Sequence, residues 1–480
     1  MSIKYYLSFI ILLTTVACKK NLDINTNPVA ATEATPDLLF NYSLTSWSSN
    51  RTGGDSYIPL ALSCQNQASG GNYGWGAEDV YNISPFSTGN TWRGYYATSG
   101  NNLKLAILQA ESSSPVNSNA AAQCKITLAQ MMYECTTIWG DIPFSESWQT
   151  SISYPKFDKQ KDVLNGIINL LNEAIAQIDI NSTLKISKYD LLYGGDMTKW
   201  KKLANSLKFR TYMLMADADP SKSTDIGNML QAGGMIDQAS YNMLYPYLNE
   251  SGKENPKFKV LKRFAGGQNI FFYANKNVFD YMSPNADPRI SVYFQPGPDA
   301  AATQYVAVVS EEEADEFTSV MNLETLYKPD APDVMFTYQE QLFFEAEAYA
   351  RGLGVAKDLV KANTLYRSAI TAAMKFYNIS DAKIQEYLSK LTDLSTSEDP
   401  VKDIHIQQWI DLVDRPLEAF TQWRRSGPDG SEVPVLVQPA GTPAGGLIRR
   451  WDYPQSAELI TNQNAPKESP LFTTKLWFDL

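Results

Sequence analysis

The chain has 480 residues, 44% hydrophobic, 12% aromatic and 19% charged, enough apolar material for a large buried core, so a disordered chain is excluded. Lys and Arg number 41 against 52 Asp and Glu, and the formal charge of −11 argues against a binder of the nucleic-acid backbone. A single histidine, His405, rules out mechanisms that need two imidazoles, while 10 Trp, 27 Tyr and 20 Phe leave rings to spare for stacking on ligands.

Lys4 precedes an uncharged run from Tyr5 to Val16, the pattern of a secretory signal. At about 1.5 Å per residue this run would span roughly 18 Å as a helix, short of the roughly 30 Å hydrocarbon core. Thr15-Val16-Ala17-Cys18 resembles a bacterial lipobox with Thr where Leu is commonest. The expectation is a signal peptide over 1–17, acylation of Cys18, and a polar tether over 18–36. Of the remaining thiols, Cys124 and Cys135 would lie on one side of a helix roughly 16 Å apart, too far to pair. Cys64 could bridge one of them, but buried free thiols are the favoured reading.

Apolar residues recur at helical spacing in five places. Ala122, Ile126, Ala129 and Tyr133 mark a helix that stops at Gly140. Val163, Ile167, Leu170, Leu171, Ala174 and Ile178 mark a second, with Asp158 as its expected N-cap. A third runs through Trp200, Leu203, Leu207 and Leu214, started by Asp196 or Thr198 and ended before Pro220. Leu342, Ala346, Tyr349 and Ala350 precede the break at Gly352-Leu353-Gly354, and Ala362, Leu365, Tyr366, Ala369 and Ala373 follow it. The small residues at contact positions suit a tetratricopeptide-like hairpin, and helices near 103–111 with 120–139, and 159–180 with 198–216, suit similar pairs. The fold class expected is all-α, with loop-rich segments and a few short strands.

Residues 65–102, 245–335 and 426–470 lack that period and read as loops and short strands over the scaffold. The first holds seven Gly, six Asn and seven aromatics. Asn72-Tyr73-Gly74-Trp75 pairs flat rings for a sugar face with an amide for its hydroxyls, and Trp92 and Tyr96 offer a second such group, with core packing an equal alternative. Tyr293 and Phe294 are lesser candidates. The acidic run Glu311-Glu312-Glu313 with Asp315 and Glu316 reads as a solvated helix start.

Several motifs, in order, resemble the SusD/RagB family of outer-membrane nutrient-binding lipoproteins. They are the lipobox followed by Asn21-Leu22-Asp23-Ile24-Asn25, Trp139-Gly140-Asp141-Ile142-Pro143-Phe144-Ser145-Glu146, Trp200 to Lys208, Asp287-Pro288-Arg289, and Phe343 to Tyr349. Glu418-Ala419-Phe420-Thr421-Gln422-Trp423-Arg424-Arg425 and Arg449-Arg450-Trp451-Asp452-Tyr453-Pro454 close the series. The resemblance implies one helical domain over 37–480 with a loop-rich ligand face. It also implies display at the outer membrane and a TonB-dependent β-barrel partner to which captured oligosaccharides, or peptides for some members, are passed. A Trp in the early loop region often belongs to the family's ligand platform; Trp75 matches that region rather than a motif.

Catalytic readings are weaker. Glu418, Gln422 and Arg425 share one helix face, where an internal ion pair or a bond to the Arg449-Arg450 turn would lock the C-terminal loops in place. Tyr453-Pro454 reads as a packed turn. No local motif marks a glycosidase carboxylate pair, no serine elbow accompanies His405, and no zinc or phosphate-loop pattern occurs. No cofactor or metal is expected, although loop carboxylates stay open to calcium. A non-catalytic binding lipoprotein is the leading expectation, with a surface hydrolase or a structural lid for the transporter as rivals.

Overall fold

A computed structural model describes residues 34–71, 78–264, 266, 272–310, 312–427, 433–442 and 445–480. The expected signal peptide, Cys18 and the tether up to residue 33 lie outside the described residues. Helices begin where prolines and short polar caps place them. α1 (Pro36–Arg51) starts on its proline and α2 (Gly54–Ser63) follows at once. After β1 (Gln67–Ala68) comes α3 (Pro85–Arg93), whose cap Ser84 accepts from the Phe86 amide. A π-helical turn (Gly94–Gly100) carries α3 directly into α4 (Asn101–Ser112). The stretch from 85 to 102 is therefore helical, not loop. Its buried stripe, Thr88, Thr91, Trp92, Tyr95 and Ser99, keeps helical spacing, but its small polar members hide the period.

α5 (Ser118–Trp139) is buried along almost its whole length, capped by Asn117 and stopped by Gly140 at φ 84. It packs between α4 and α6 (Gln160–Gln177), and α6 packs on α7 (Met197–Met215). Asp196 caps α7 by accepting from the amides of Thr198 and Lys199. Asp158 does not cap α6. Its carboxylate accepts from the amides of Phe144 and Ser145 and from the Ser145 hydroxyl, so it holds the turn after α5, and Lys159 takes the N-cap place.

α8 (Lys222–Ala232) leads to β2 (Met243–Tyr245), α9 (Pro256–Phe264), β3 (Tyr273–Ala274), α10 (Lys276–Met282), α11 (Ile290–Tyr293), β4 (Phe294–Gln295), β5 (Val320–Met321) and β6 (Asp333–Phe336). The strands form two antiparallel patches, β1-β3-β5-β4 and β2-β6, with Gln67 opposite Ala274 and Phe294 opposite Met321. Tyr293 and Phe294 are core residues at 0% and 1% exposure, which removes them as ligand candidates. No helix starts at the acidic run. Glu312 and Glu313 lie exposed in a loop, and Glu312 accepts from the Val309 amide; Glu311 is outside the described residues.

α12 (Tyr338–Arg351) and α13 (Leu359–Phe376) form the expected antiparallel hairpin. Gly352 at φ 74 ends α12, Asp358 caps α13, and Ala346, Ala350, Ala369 and Ala373 are buried where the two helices meet. Backbone approach is equally close between Gly227 of α8 and Gly354, where a Cβ on either residue would strike the other's main chain. α14 (Asp381–Leu388), α15 (Pro400–Asp411), α16 (Pro416–Arg425) and α17 (Ala457–Thr461) complete the chain. The fold is mainly helical, on tetratricopeptide-like pairs, with short strands and loops laid over them. Cys64, Cys124 and Cys135 are buried free thiols.

Candidate functional site

The run from α3 through the π turn lifts two aromatic residues, four apart, onto one helix face. There Trp92 and Tyr96 join a ladder of near-parallel rings. Phe157 stacks on Trp92 with centroids 6.2 Å apart, Trp92 on Tyr96 at 4.6 Å, and Tyr96 on Trp148 at 5.5 Å. Trp139 and Tyr453 meet Trp92 edge-on. The Tyr96 hydroxyl donates to the Pro143 carbonyl at 2.7 Å, and burial pushes its pKa up.

Trp148 closes the ladder at the solvent side. Its indole Nε1 donates to the Tyr96 carbonyl at 2.8 Å, and its backbone lies at φ 60, a left-handed conformation that costs a bulky residue on the order of 1–3 kcal/mol. A Cβ at Gly100 would run into the Trp148 ring, so glycine at this point of the π turn lets the indole approach the helix. Trp92, Tyr96 and Trp148 form the aromatic wall of a cleft of about 410 Å³. Asn101, Gln149, Glu458 and Asn462 supply polar edges, and Asn462 is held by donation to the Pro155 carbonyl at 2.8 Å. The Ser147 hydroxyl, buried in the same wall, has no hydrogen-bond partner among the described residues.

Leu459 and Asn462 also border a second cavity of about 360 Å³, lined by Tyr453, Pro454, Gln455 and Lys467. Tyr453 borders a third, of about 290 Å³, reaching Tyr81, Asn82 and Pro85. Tyr453 is fixed by its hydroxyl, which donates to the Asp141 carbonyl at 2.6 Å, and by Arg450 over its ring at 5.1 Å.

Of the residues singled out from sequence, Asn72, Tyr73 and Trp75 lie outside the described residues. On their C-terminal flank, Glu78 and Asp79 are buried, and burial, with the Asp79 charge adding to it, pushes the Glu78 carboxyl up to about 7. Trp92 and Tyr96 come together at the cleft, but each has rings against both faces and presents edges. Trp148 was not singled out; a lone Trp among Ser147, Gln149 and Thr150 is the signal that marks it.

The C-terminal motif lies inside the protein. Glu418 does not pair with Arg425. It takes a bond from Arg51 Nη2 at 2.9 Å, while Arg425 bridges Gln422 at 2.8 Å and forks onto Glu347 at 2.8 Å to each oxygen. Arg424 donates to the Phe420 and Arg449 carbonyls, both at 2.8 Å, and Arg449 pairs with Asp479 at 3.0 Å while covering the Trp423 ring. Arg51 also holds Asp333 at 3.1 Å and Glu134. Burial pushes the Glu134 carboxyl up to about 7 against the pull of Arg51, whereas Arg51 and Arg415 overcome burial at Glu418 and keep its carboxyl low. His405 sits 3.2 Å from Glu347 at 2% exposure, inside the same buried array rather than on a helix surface. These groups tie α1, α5, β6, α12, α15 and α16 to the C-terminal segment. His405, Arg424 and Arg425 also border a cavity of about 430 Å³ with Asp217, Arg351 and Asp399.

A family model described as "Starch-binding associating with outer membrane" (SusD-like_2) matches residues 28–454. Among solved structures, a SusD-like protein of Bacteroidetes superposes with a TM-score of 0.79 at 20% identity, over 93% of this chain and 100% of that one. A chitin-binding protein gives 0.76 at 22% identity, with 93% and 100% covered. A SusD/RagB family protein from Bacteroides thetaiotaomicron gives 0.75 at 18%, with 93% and 99% covered. At these identities the structures speak for the fold. No sequence among curated proteins matches the chain.

Proposed function

From the premise that this chain belongs to the SusD-like family, whose model is described as starch-binding and associating with the outer membrane, we propose a lipid-anchored glycan-binding protein. It holds oligosaccharides without cleaving them and passes them to a TonB-dependent outer-membrane barrel. The match over 28–454 carries this reading. Two features of the molecule support it.

First, the cleft combines an aromatic wall with amide and hydroxyl edges, the mixture that a ring of C–H groups bordered by hydroxyls requires. The chitin-binding protein of the same fold is by its name a glycan binder. Second, glycoside hydrolysis needs two carboxyl groups about 5–10 Å apart on either side of the scissile bond. Glu134, Asp333 and Glu418 are gathered in one place, but all three are bound to Arg51 and each side chain is at most 6% exposed. This buried cluster therefore offers no exposed carboxylate pair for hydrolysis. No described helix is long and apolar enough to cross a membrane, and acylation of Cys18 would supply the anchor.

The test is co-purification from detergent-solubilised membranes of the native host. The proposal expects a β-barrel transporter to accompany the protein, and radiolabel from palmitate to remain on it. Recovery of an unacylated, unaccompanied protein from the soluble fraction would overturn the anchoring and delivery steps.

A further inference from the structure

We propose that Trp148 is the stacking platform of a sugar-binding subsite in the cleft beside α3, and that this subsite selects uncharged pyranosides over uronic-acid oligomers. The inference rests on the glycan-binding reading and names the residue and the ligand class.

A sugar stacks on a ring whose face is open. In the ladder, Trp92 lies between Phe157 and Tyr96, and Tyr96 lies between Trp92 and Trp148, so neither has a face to give. Phe157 at the far end is met edge-on by Tyr453 at 5.4 Å. Trp148 is the end ring that lines the cleft, with Tyr96 against one face. It is also pre-set. Its Nε1 is committed to the Tyr96 carbonyl and its ring rests against Gly100, so little freedom is lost when a ligand arrives. The left-handed backbone at φ 60 is a conformation that Trp does not adopt by preference, and the stack and the indole hydrogen bond hold it there.

The polar partners complete the subsite. Ser147, at 6% exposure, holds in the wall a hydroxyl without a partner among the described residues, and Asn101 and Gln149 belong to the lining. Gln149 donates to the Ser145 carbonyl at 2.9 Å, which leaves its amide oxygen to accept from a sugar hydroxyl. A volume of about 410 Å³ falls within the roughly 300–1,000 Å³ of small-ligand clefts. Among the described lining residues Glu458 alone carries a charge, and it is exposed. Arg93 of α3 acts on it from outside the lining. A uronate would set its carboxylate against that of Glu458, a repulsion that a neutral ring does not meet.

The experiment is titration calorimetry of the full mature protein with a panel of maltoheptaose, chitohexaose, cellohexaose, xylohexaose and hexagalacturonate, backed by tryptophan fluorescence. Trp148→Gly removes the ring and suits φ 60, so the variant keeps its fold; Trp148→Phe keeps a smaller ring. At least one neutral oligomer is expected to bind more tightly than hexagalacturonate. Trp148→Gly should weaken it roughly tenfold or more, Trp148→Phe should weaken it less, and Glu458→Gln should narrow the gap to hexagalacturonate. If Trp148→Gly, melting like wild type, binds within about twofold of it, the subsite is refuted while glycan binding stands. Preference for hexagalacturonate refutes the selectivity. Failure of the wild type to bind any of the five refutes the glycan-binding reading and this inference with it.

Discussion

Arg51 is the residue whose loss the fold should feel most. It sits at 8% exposure and faces three carboxylates, Glu134, Asp333 and Glu418, drawn from α5, β6 and α16. Arg51→Met keeps much of the volume but strands Glu134 and Asp333 and leaves Glu418 to Arg415 and Arg210. Breaking one buried pair costs roughly 3–5 kcal/mol, and the stranded acids limit the rest by taking up protons. At about 2.1 cal/mol/K per residue the unfolding entropy of 480 residues is roughly 1 kcal/mol/K, so the melting midpoint should fall by about 3–5 °C at neutral pH. The sign of the pH dependence follows. Burial already holds Glu134 and Asp333 above their ordinary values, and without Arg51 they and Glu418 rise further, so the penalty grows as pH rises through the carboxylate range and shrinks on acidification. Calorimetric melts of both proteins at pH 8 and pH 5 read this directly. A shift below 1 °C, or an equal shift at both pH values, would refute the view that Arg51 holds the charges of the hub.

Other expectations are as concrete. Cys18→Ser should move the protein from the detergent phase to the aqueous phase in detergent partitioning; unchanged partitioning would remove the lipid anchor. Trp75→Ala should weaken glycan binding by about 1–3 kcal/mol in calorimetry, and a folded variant of unchanged affinity would take Trp75 off the ligand face. At Glu347, burial alone would raise the carboxyl, but Arg425, His405 and Arg351 hold it well below its usual 4.5. A depressed acid stabilises the fold above its unfolded value and loses that contribution as pH falls through the folded one. The gap in melting midpoint between wild type and Glu347→Gln should therefore close below about pH 4.5, and a gap constant from pH 7 to pH 3 would contradict the pairing.

What the sequence reveals is what short-range physics controls. Gly140, Asp196 and Gly352 end or start helices through contacts within a few residues, and each does so where its chemistry predicts. The alanines of the α12–α13 hairpin are equally plain, because close packing needs small residues at fixed spacing. α3 and its π turn are hidden because Thr88, Thr91 and Ser99 are buried through packing that composition does not show. Asp158 is a good cap by type, yet two amides and a hydroxyl before α6 claim its oxygens. Glu418 finds its partner 367 residues away in Arg51, beyond any local pattern. The cleft is the same case. Trp92 and Tyr96 are visible as a pair, but Trp148, which covers Tyr96, comes from a different loop 52 residues on.

Binding without turnover is the claim on which the rest stands. Purified mature protein can be held overnight with each oligosaccharide it retains in affinity electrophoresis, and the mixture resolved by chromatography with detection of new reducing ends. The expected result is retardation on at least one glycan with the oligomer recovered at full length. Shortened products growing in proportion to protein and time would show an enzyme instead.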